Sequence, residues 1–223
     1  IEKTEVRRIA AQLDLATATR KDSQGICFVG KVDLPVFLQQ KLAPKKGKVI
    51  EIDKDDPHLR LNQETTSKPE DESLSEICRA YDFSAMCGKQ IGEHSGAHYY
   101  TIGQRKGLNI GGKAKPLFVL GVDIKENIIY VGQGHDHPGL NRKGLFIHLD
   151  DMHWIRPDLA LKAGEKIYCS VRIRYRQVLQ NATLRMSKTG MYIVFDELQR
   201  GIAPGQFAAW YFGDELIGSG VIS

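Results

Sequence analysis

The sequence predicts a mixed fold, α+β in its first two-thirds and an antiparallel β-barrel over residues 142–223. Two observations carry this. Helix-period segments are confined to the first part of the chain. Six short strand signals then follow Arg142, separated by turn residues with no helix-period segment between them.

In order, Thr4 to Leu13 reads as an amphipathic helix, with Thr4 as its cap and Val6, Ile9, Ala10 and Leu13 on one face. RKDSQGICFVG (20–30) reads as a turn-rich loop leading into a short strand. A second helix is expected from Asp33, with Pro35 in its first turn. VIEI (49–52) is a strand. The composition then shifts: residues 51–90 carry 10 acidic and 5 basic groups, and the stretch from about 54 to 87 reads as a solvated acidic insertion with a short helix over 70–81. LFVLGVD (117–123) and NIIYVGQ (127–133) form a hairpin around Lys125 and Glu126. The barrel strands are GLFIHLD (144–150), EKIYCSVRIRYR (165–176), NATLRMS (181–187), MYIVFDE (191–197), QFAAWYF (206–212) and ELIGSGVIS (215–223).

The chain has 223 residues, 42% of them hydrophobic, enough for a sizeable core without disulfides or metals. No apolar run is long enough to span a membrane, and from the opening IEKTEVRR, which starts with Ile rather than Met, no secretory leader is expected. Such a start is expected of a shortened chain. Four cysteines without Cys-x-x-Cys spacing predict a reduced, cytoplasmic setting. The net charge is only +4, but residues 91–180 hold 13 basic against 8 acidic groups, so one region is more basic than the total suggests.

GLNIGGKA (107–114) comes close to a phosphate-binding loop. Ala114 stands where a hydroxyl is needed, and no hydrophobic strand precedes Gly107, so an ATP site is rejected there. His94 with His98, and His135 with His137, could in principle converge on one ion. Gly96 weakens the helix that the first pair would need, and no metal is predicted.

In KIYCSVRIRYR, strict alternation would turn Arg172, Arg174 and Arg176 to one outer face at about 6.6 Å intervals. That spacing suits successive phosphates of an extended nucleic-acid strand, although alternating arginines also keep a strand edge soluble. Cys27, between Ile26 and Phe28, reads from its neighbours as a small core hydrophobe. The preceding Ser-Gln-Gly turn, with Arg20 and Lys21 nearby, is what a reactive thiolate would need. If any cysteine is reactive, it is Cys27.

KDSQGICFVG (21–30), GEHSGAHYYTIGQRKGLNIGG (92–112), VGQGHDHPGL (131–140), VRIRYRQ (171–177) and APGQFAAWY (203–211) together resemble the tRNA-specific 2-thiouridylases, the MnmA (TrmU) family. They occur in the family's order over nearly the whole chain. The resemblance implies a tRNA sulfurtransferase that makes 2-thiouridine at wobble position U34 of tRNAs for Lys, Glu and Gln. It activates the C2 oxygen by adenylation with ATP and delivers sulfur from a cysteine persulfide. It assigns the persulfide to Cys27, and tRNA contacts to Arg174, Tyr175 and Gln206. It also implies a sulfur donor such as a cysteine desulfurase or a sulfur-relay protein.

The implied organisation has three parts: residues 1–30 as the tail of a nucleotide-binding α/β domain, 31–141 as a small central α+β domain holding the acidic insertion, and 142–223 as the β-barrel. The ATP site is expected to lie outside these residues, so the chain alone is expected neither to bind ATP well nor to complete thiolation. The Cys27 loop is expected to lose order without the contacts of that domain. The alternative class is a non-catalytic RNA-binding β-barrel module in which Cys27 is inert.

Overall fold

In a computed structural model, the structure describes residues 2–15, 18–19, 43–59 and 70–223. Cys27, the loop around it and the helix expected from Asp33 lie outside the described residues. The chain divides into two compact units, Ile1–Pro44 and Lys45–Ser223.

In the first unit, helix α1 spans Lys3–Gln12. Thr4 sits inside it rather than capping it, and Glu2 occupies the cap position without a side-chain hydrogen bond. An Arg8–Glu5 ion pair one turn apart braces the exposed side.

The second unit contains two sheets. The smaller is mixed, with strands β1 (Gly47–Ile52), β2 (Gly88–His94), β3 (Leu117–Asp123) and β4 (Ile128–Gln133) in the order β2-β1-β4-β3. The β3–β4 hairpin is as the sequence predicts, while β1 lies parallel to β4 and antiparallel to β2. The hairpin turns at Asn127, whose left-handed backbone (φ 55°) suits Asn. Its buried side chain accepts from the Ala97 N–H and donates to the carbonyls of Lys45 and Lys46, joining three segments.

At β3 and β4 this sheet is buried on both faces, which is why these strands read as continuous apolar runs rather than alternating ones. Leu59, Phe83, Phe118, Leu120 and Tyr130 pack in one cluster, and Val49, Leu108, Val119, Ile129 and Val131 in the other. The acidic stretch is therefore not wholly solvated: Leu59, Phe83 and Met86 are core residues. Its helix, α2 (Glu70–Cys78), packs on the larger sheet instead. The Cys78 sulfur lies 3.9 Å from the Ile193 carbonyl, and buried Arg142 donates to the Cys78 carbonyl.

The larger sheet is antiparallel throughout. Its strands are β5 (Asn141–His148), β6 (Met152–Trp154), β7 (Lys166–Arg172), β8 (Gln180–Met186), β9 (Gly190–Arg200), β10 (Phe207–Phe212) and β11 (Glu215–Val221), in the order β5-β9-β8-β7-β10-β11-β6. It curls until Ser223, just past β11, donates its N–H to the Phe146 carbonyl of β5 at 3.0 Å. Alternate residues fill the inside, among them Ile147, Val171, Leu184, Ile193, Phe195 and Trp210.

One expectation fails here. Strand β7 ends at Arg172, because its pairing with β8 stops at Val171 and with β10 at Arg172. Beyond that point the Ile173 N–H donates to the Gln177 side chain at 2.9 Å, and the Gln177 N–H to the Arg174 carbonyl at 3.1 Å. Residues 173–176 are a turn, so the predicted stripe of three arginines on one strand face does not form. Only Arg172 is on the strand.

Candidate nucleic-acid interface

The turn after β7 is fastened to the loop between β9 and β10. The Arg174 guanidinium donates through Nη2 to the carbonyls of Arg200 and Gly201, the latter at 2.9 Å. Gly201 has φ +67°, which favours glycine, and a Cβ there would displace Arg174 Nη2 from its present position. The Gly201 N–H in turn donates to the Leu140 carbonyl at 2.7 Å.

The loop from Gly201 ends at Gln206, where two backbone bonds fix it: Gly205 N–H to Ile222 C=O and Ile222 N–H to Gln206 C=O, both 2.8 Å. Arg174 thus anchors the start of the loop whose end carries Gln206. Gln206 is half-buried, and its Oε1 is enclosed without a hydrogen-bond partner among the described residues. Tyr175 is 87% exposed at the tip of the turn, while its carbonyl accepts from Arg172 Nη1 at 3.3 Å. The structure therefore brings together three of the four sequence-predicted site residues on two joined loops. The fourth, Cys27, lies outside the described residues.

Gln206 also lines a cleft of about 800 Å³ between the smaller sheet and the 202–206 loop, with Tyr81, Phe83, Tyr100, Tyr130 and Arg142. Nearby, Arg200 lies 4.6 Å over the Phe118 ring and 3.2 Å from His135 Nδ1. The 131–140 segment therefore meets the end of β9 at the junction of the two sheets.

His137 of that segment and His94 of its neighbour serve the fold. His137 is buried: its Nδ1 accepts the Gly139 N–H and its Nε2 faces the Ile52 carbonyl at 3.2 Å, which sets a neutral ring protonated on Nε2. Burial pushes its pKa below the ordinary histidine value. His94 accepts the Gly96 N–H and is likewise lowered by burial. Among the described residues, no group of three or more His, Cys, Asp and Glu converges as a metal site would require.

The Gly107–Ala114 loop runs into β3, where a phosphate-binding loop of the kind its sequence approaches would run into a helix N-terminus. The preceding turn is built by Gln104, which accepts from the Thr101 N–H and donates to the Lys106 carbonyl. It leaves Arg105 and Lys106 exposed.

Sequence reasoning missed Gln177, whose side chain closes the turn and bonds Gln199 at 2.8 Å, and Gly201. The Arg-Gly step after a strand-like run was the available signal for Gly201.

Three family descriptions match successive parts of the chain: tRNA methyl transferase HUP domain at residues 1–31, tRNA methyl transferase PRC-barrel domain at 79–133, and aminomethyltransferase beta-barrel domain at 146–222. Over all 223 residues the chain is 50% identical to a protein of Christiangramia forsetii and 52% identical to one of Flavobacterium johnsoniae, covering 56% of each. It is 37% identical to a protein of Bacillus subtilis, covering 50% of it. Each of these relatives is named tRNA-specific 2-thiouridylase MnmA. Along its whole length the chain is thus similar to proteins named tRNA-specific 2-thiouridylase MnmA, and it spans about half the length of the relatives it matches.

Proposed function

We propose that this chain is the tRNA-gripping and sulfur-carrying part of an ATP-dependent tRNA sulfurtransferase that makes 2-thiouridine at U34. The observation that carries the reading is the Arg174–Gly201 tie. It holds the exposed ring of Tyr175 and the amide of Gln206 on joined loops, beside a cleft, in a chain similar throughout to proteins named for this activity.

In this reading Tyr175 offers a ring for a base, Arg174 and its neighbours meet phosphates, and Gln206 supplies an amide for hydrogen bonding. The Cys27 thiolate attacks the outer sulfur of a donor persulfide. A Cys27–S–S bond forms, the donor's S–S bond breaks, and the donor leaves as a thiolate. That outer sulfur then attacks C2 of the uridine, which must be turned out of the stack to be reached, and the activated oxygen departs with the group that activated it. A second thiol, outside the described residues, attacks the Cys27 sulfur, so the remaining S–S bond breaks, the sulfur stays on C2 and the two thiols are left as a disulfide for a reductant to open. ATP is the co-substrate that activates the departing oxygen. No residue here is assigned to it.

The same proposal takes residues 1–30, 31–141 and 142–223 as the three functional parts. It takes tRNAs for Lys, Glu and Gln as substrates, a cysteine desulfurase or relay protein as donor, and the cytoplasm as the setting. No helix of the described residues is long and apolar enough to cross a membrane.

The binding half is tested with a fluorescently labelled tRNA transcript titrated with the 223-residue chain at several salt concentrations. Affinity that falls steeply with salt, and that Tyr175→Ala and Gln206→Ala each reduce, is the expected result. A chain that does not bind tRNA at low salt contradicts it.

A further inference from the structure

The outer face of β7 and β10 carries side chains that a solvated barrel wall does not need. On β10, Phe207, Ala209 and Tyr211 alternate with buried Ala208 and Trp210, so the three share the outer face in one row. Phe207 is 63% exposed. Ala209 pairs with Arg172 across the strands, and the Arg172 guanidinium lies over the Tyr211 ring, 5.0 Å from its centroid. The guanidinium is held from a second side by the Tyr175 carbonyl, and the residue remains half-buried.

A planar cation backed by an aromatic ring is a preformed stacking surface. Its geometry is set before anything binds, so little side-chain freedom is lost on binding. The small Ala209 keeps the space between Phe207 and Tyr211 open. Arg172 and, in the turn that follows it, Arg174 and Arg176 bring three positive charges, and among the described residues none of them has a carboxylate within salt-bridge distance. Flat surfaces for a ring, beside guanidinium groups that no carboxylate neutralises, fit a base with its phosphates better than an apolar peptide or an acidic one. The face is also continuous with Tyr175, through the Arg172 bond to its carbonyl.

We propose that Arg172, Tyr211 and Phe207 form a stacking platform for an unpaired nucleobase of the bound tRNA, one other than the nucleotide that is modified. This rests on the tRNA-binding reading above. The strand stripe predicted from sequence is replaced by one arginine on the sheet with aromatic neighbours.

The test uses the 223-residue chain with a labelled tRNA transcript and, beside it, a blunt RNA duplex whose bases are all paired. Arg172→Lys keeps the charge and removes the plane, and Phe207→Ala removes an exposed ring that no core residue leans on. Each is expected to weaken tRNA binding roughly five- to a hundredfold, with the salt dependence unchanged and duplex binding unaltered. Thermal midpoints near that of the parent show that the variants fold.

Variants that bind tRNA like the parent overturn the platform and leave the tRNA-binding reading standing. Equal losses on tRNA and duplex also overturn it, because a general effect on charge or fold then accounts for the result. A parent chain that binds neither RNA removes the underlying reading, and the platform with it.

Discussion

Arg174 donates to the Gly201 carbonyl at 2.9 Å, and the same Nη2 reaches the Arg200 carbonyl, so one guanidinium spans two successive backbone acceptors. Lysine keeps the charge but not the planar fork. We expect Arg174→Lys to lower tRNA affinity several-fold while the slope of log affinity against log salt stays as in the parent. A salt titration checks this. An unchanged affinity would show that the tie between the two loops does not matter for binding.

Gly218 on β11 packs against the indole of Trp210, and a Cβ at that position would lie 2.5 Å from Trp210 Nε1. The ring is fully buried and stacks edge-on against Trp154 at 5.3 Å, so it has little room to retreat. Gly218→Ala should therefore destabilise the fold by about 1–3 kcal/mol, the usual cost of overpacking a core. Chemical denaturation of the parent and the variant measures it.

His137 and His94 both have pKa values lowered by burial, and this gives stability a pH dependence of definite sign. The unfolded chain takes up protons at these rings at a pH near the ordinary histidine pKa of about 6.5, where the folded protein does not. Stability contributed by the neutral rings is therefore full above that pH and declines as the pH falls below it, toward the lowered folded values. We expect the thermal midpoint to drop between neutral pH and mildly acidic pH. His137→Gln should shrink that drop while lowering the midpoint at neutral pH. A midpoint that rises on acidification would contradict the buried, neutral assignment.

Three of the cysteines differ in reactivity for physical reasons. Burial pushes the Cys78 thiol up to about 12 and the Cys169 thiol up to about 11, whereas Cys87 is exposed. In a Cys27→Ala background, a thiol reagent at neutral pH should modify Cys87 within minutes and the other two only on unfolding. Mass mapping of the labelled peptides shows which reacted.

What was legible in the sequence was local. The β3–β4 hairpin, β1 and most of the larger sheet's strands follow from alternation and turn residues. What was not legible depends on partners distant in the chain. Strand β2 (GKQIGEH) is an edge strand, exposed along most of its length, so its apolar signal is weak. The parallel pairing of β1 with β4 joins residues some eighty positions apart. The end of β7 is set by where β8 and β10 stop pairing, and period-two alternation in RIRYR carries no trace of that. The acidic composition of residues 51–90 concealed Leu59, Phe83 and Met86, whose burial is decided by the sheet they cover. At the candidate interface, Arg174, Tyr175 and Gln206 were named from a resemblance. The tie through Gly201 and the aromatic company of Arg172 are visible only once β9 and β10 are placed.

The central claim is that Cys27 carries the sulfur. The most direct measurement is the intact mass of the purified chain after incubation with a cysteine desulfurase and cysteine, with and without reductant, beside Cys27→Ala. The account predicts a gain of one sulfur atom that reductant removes and that the alanine variant never acquires. No gain in a sample that binds tRNA, or an equal gain in the variant, would contradict it.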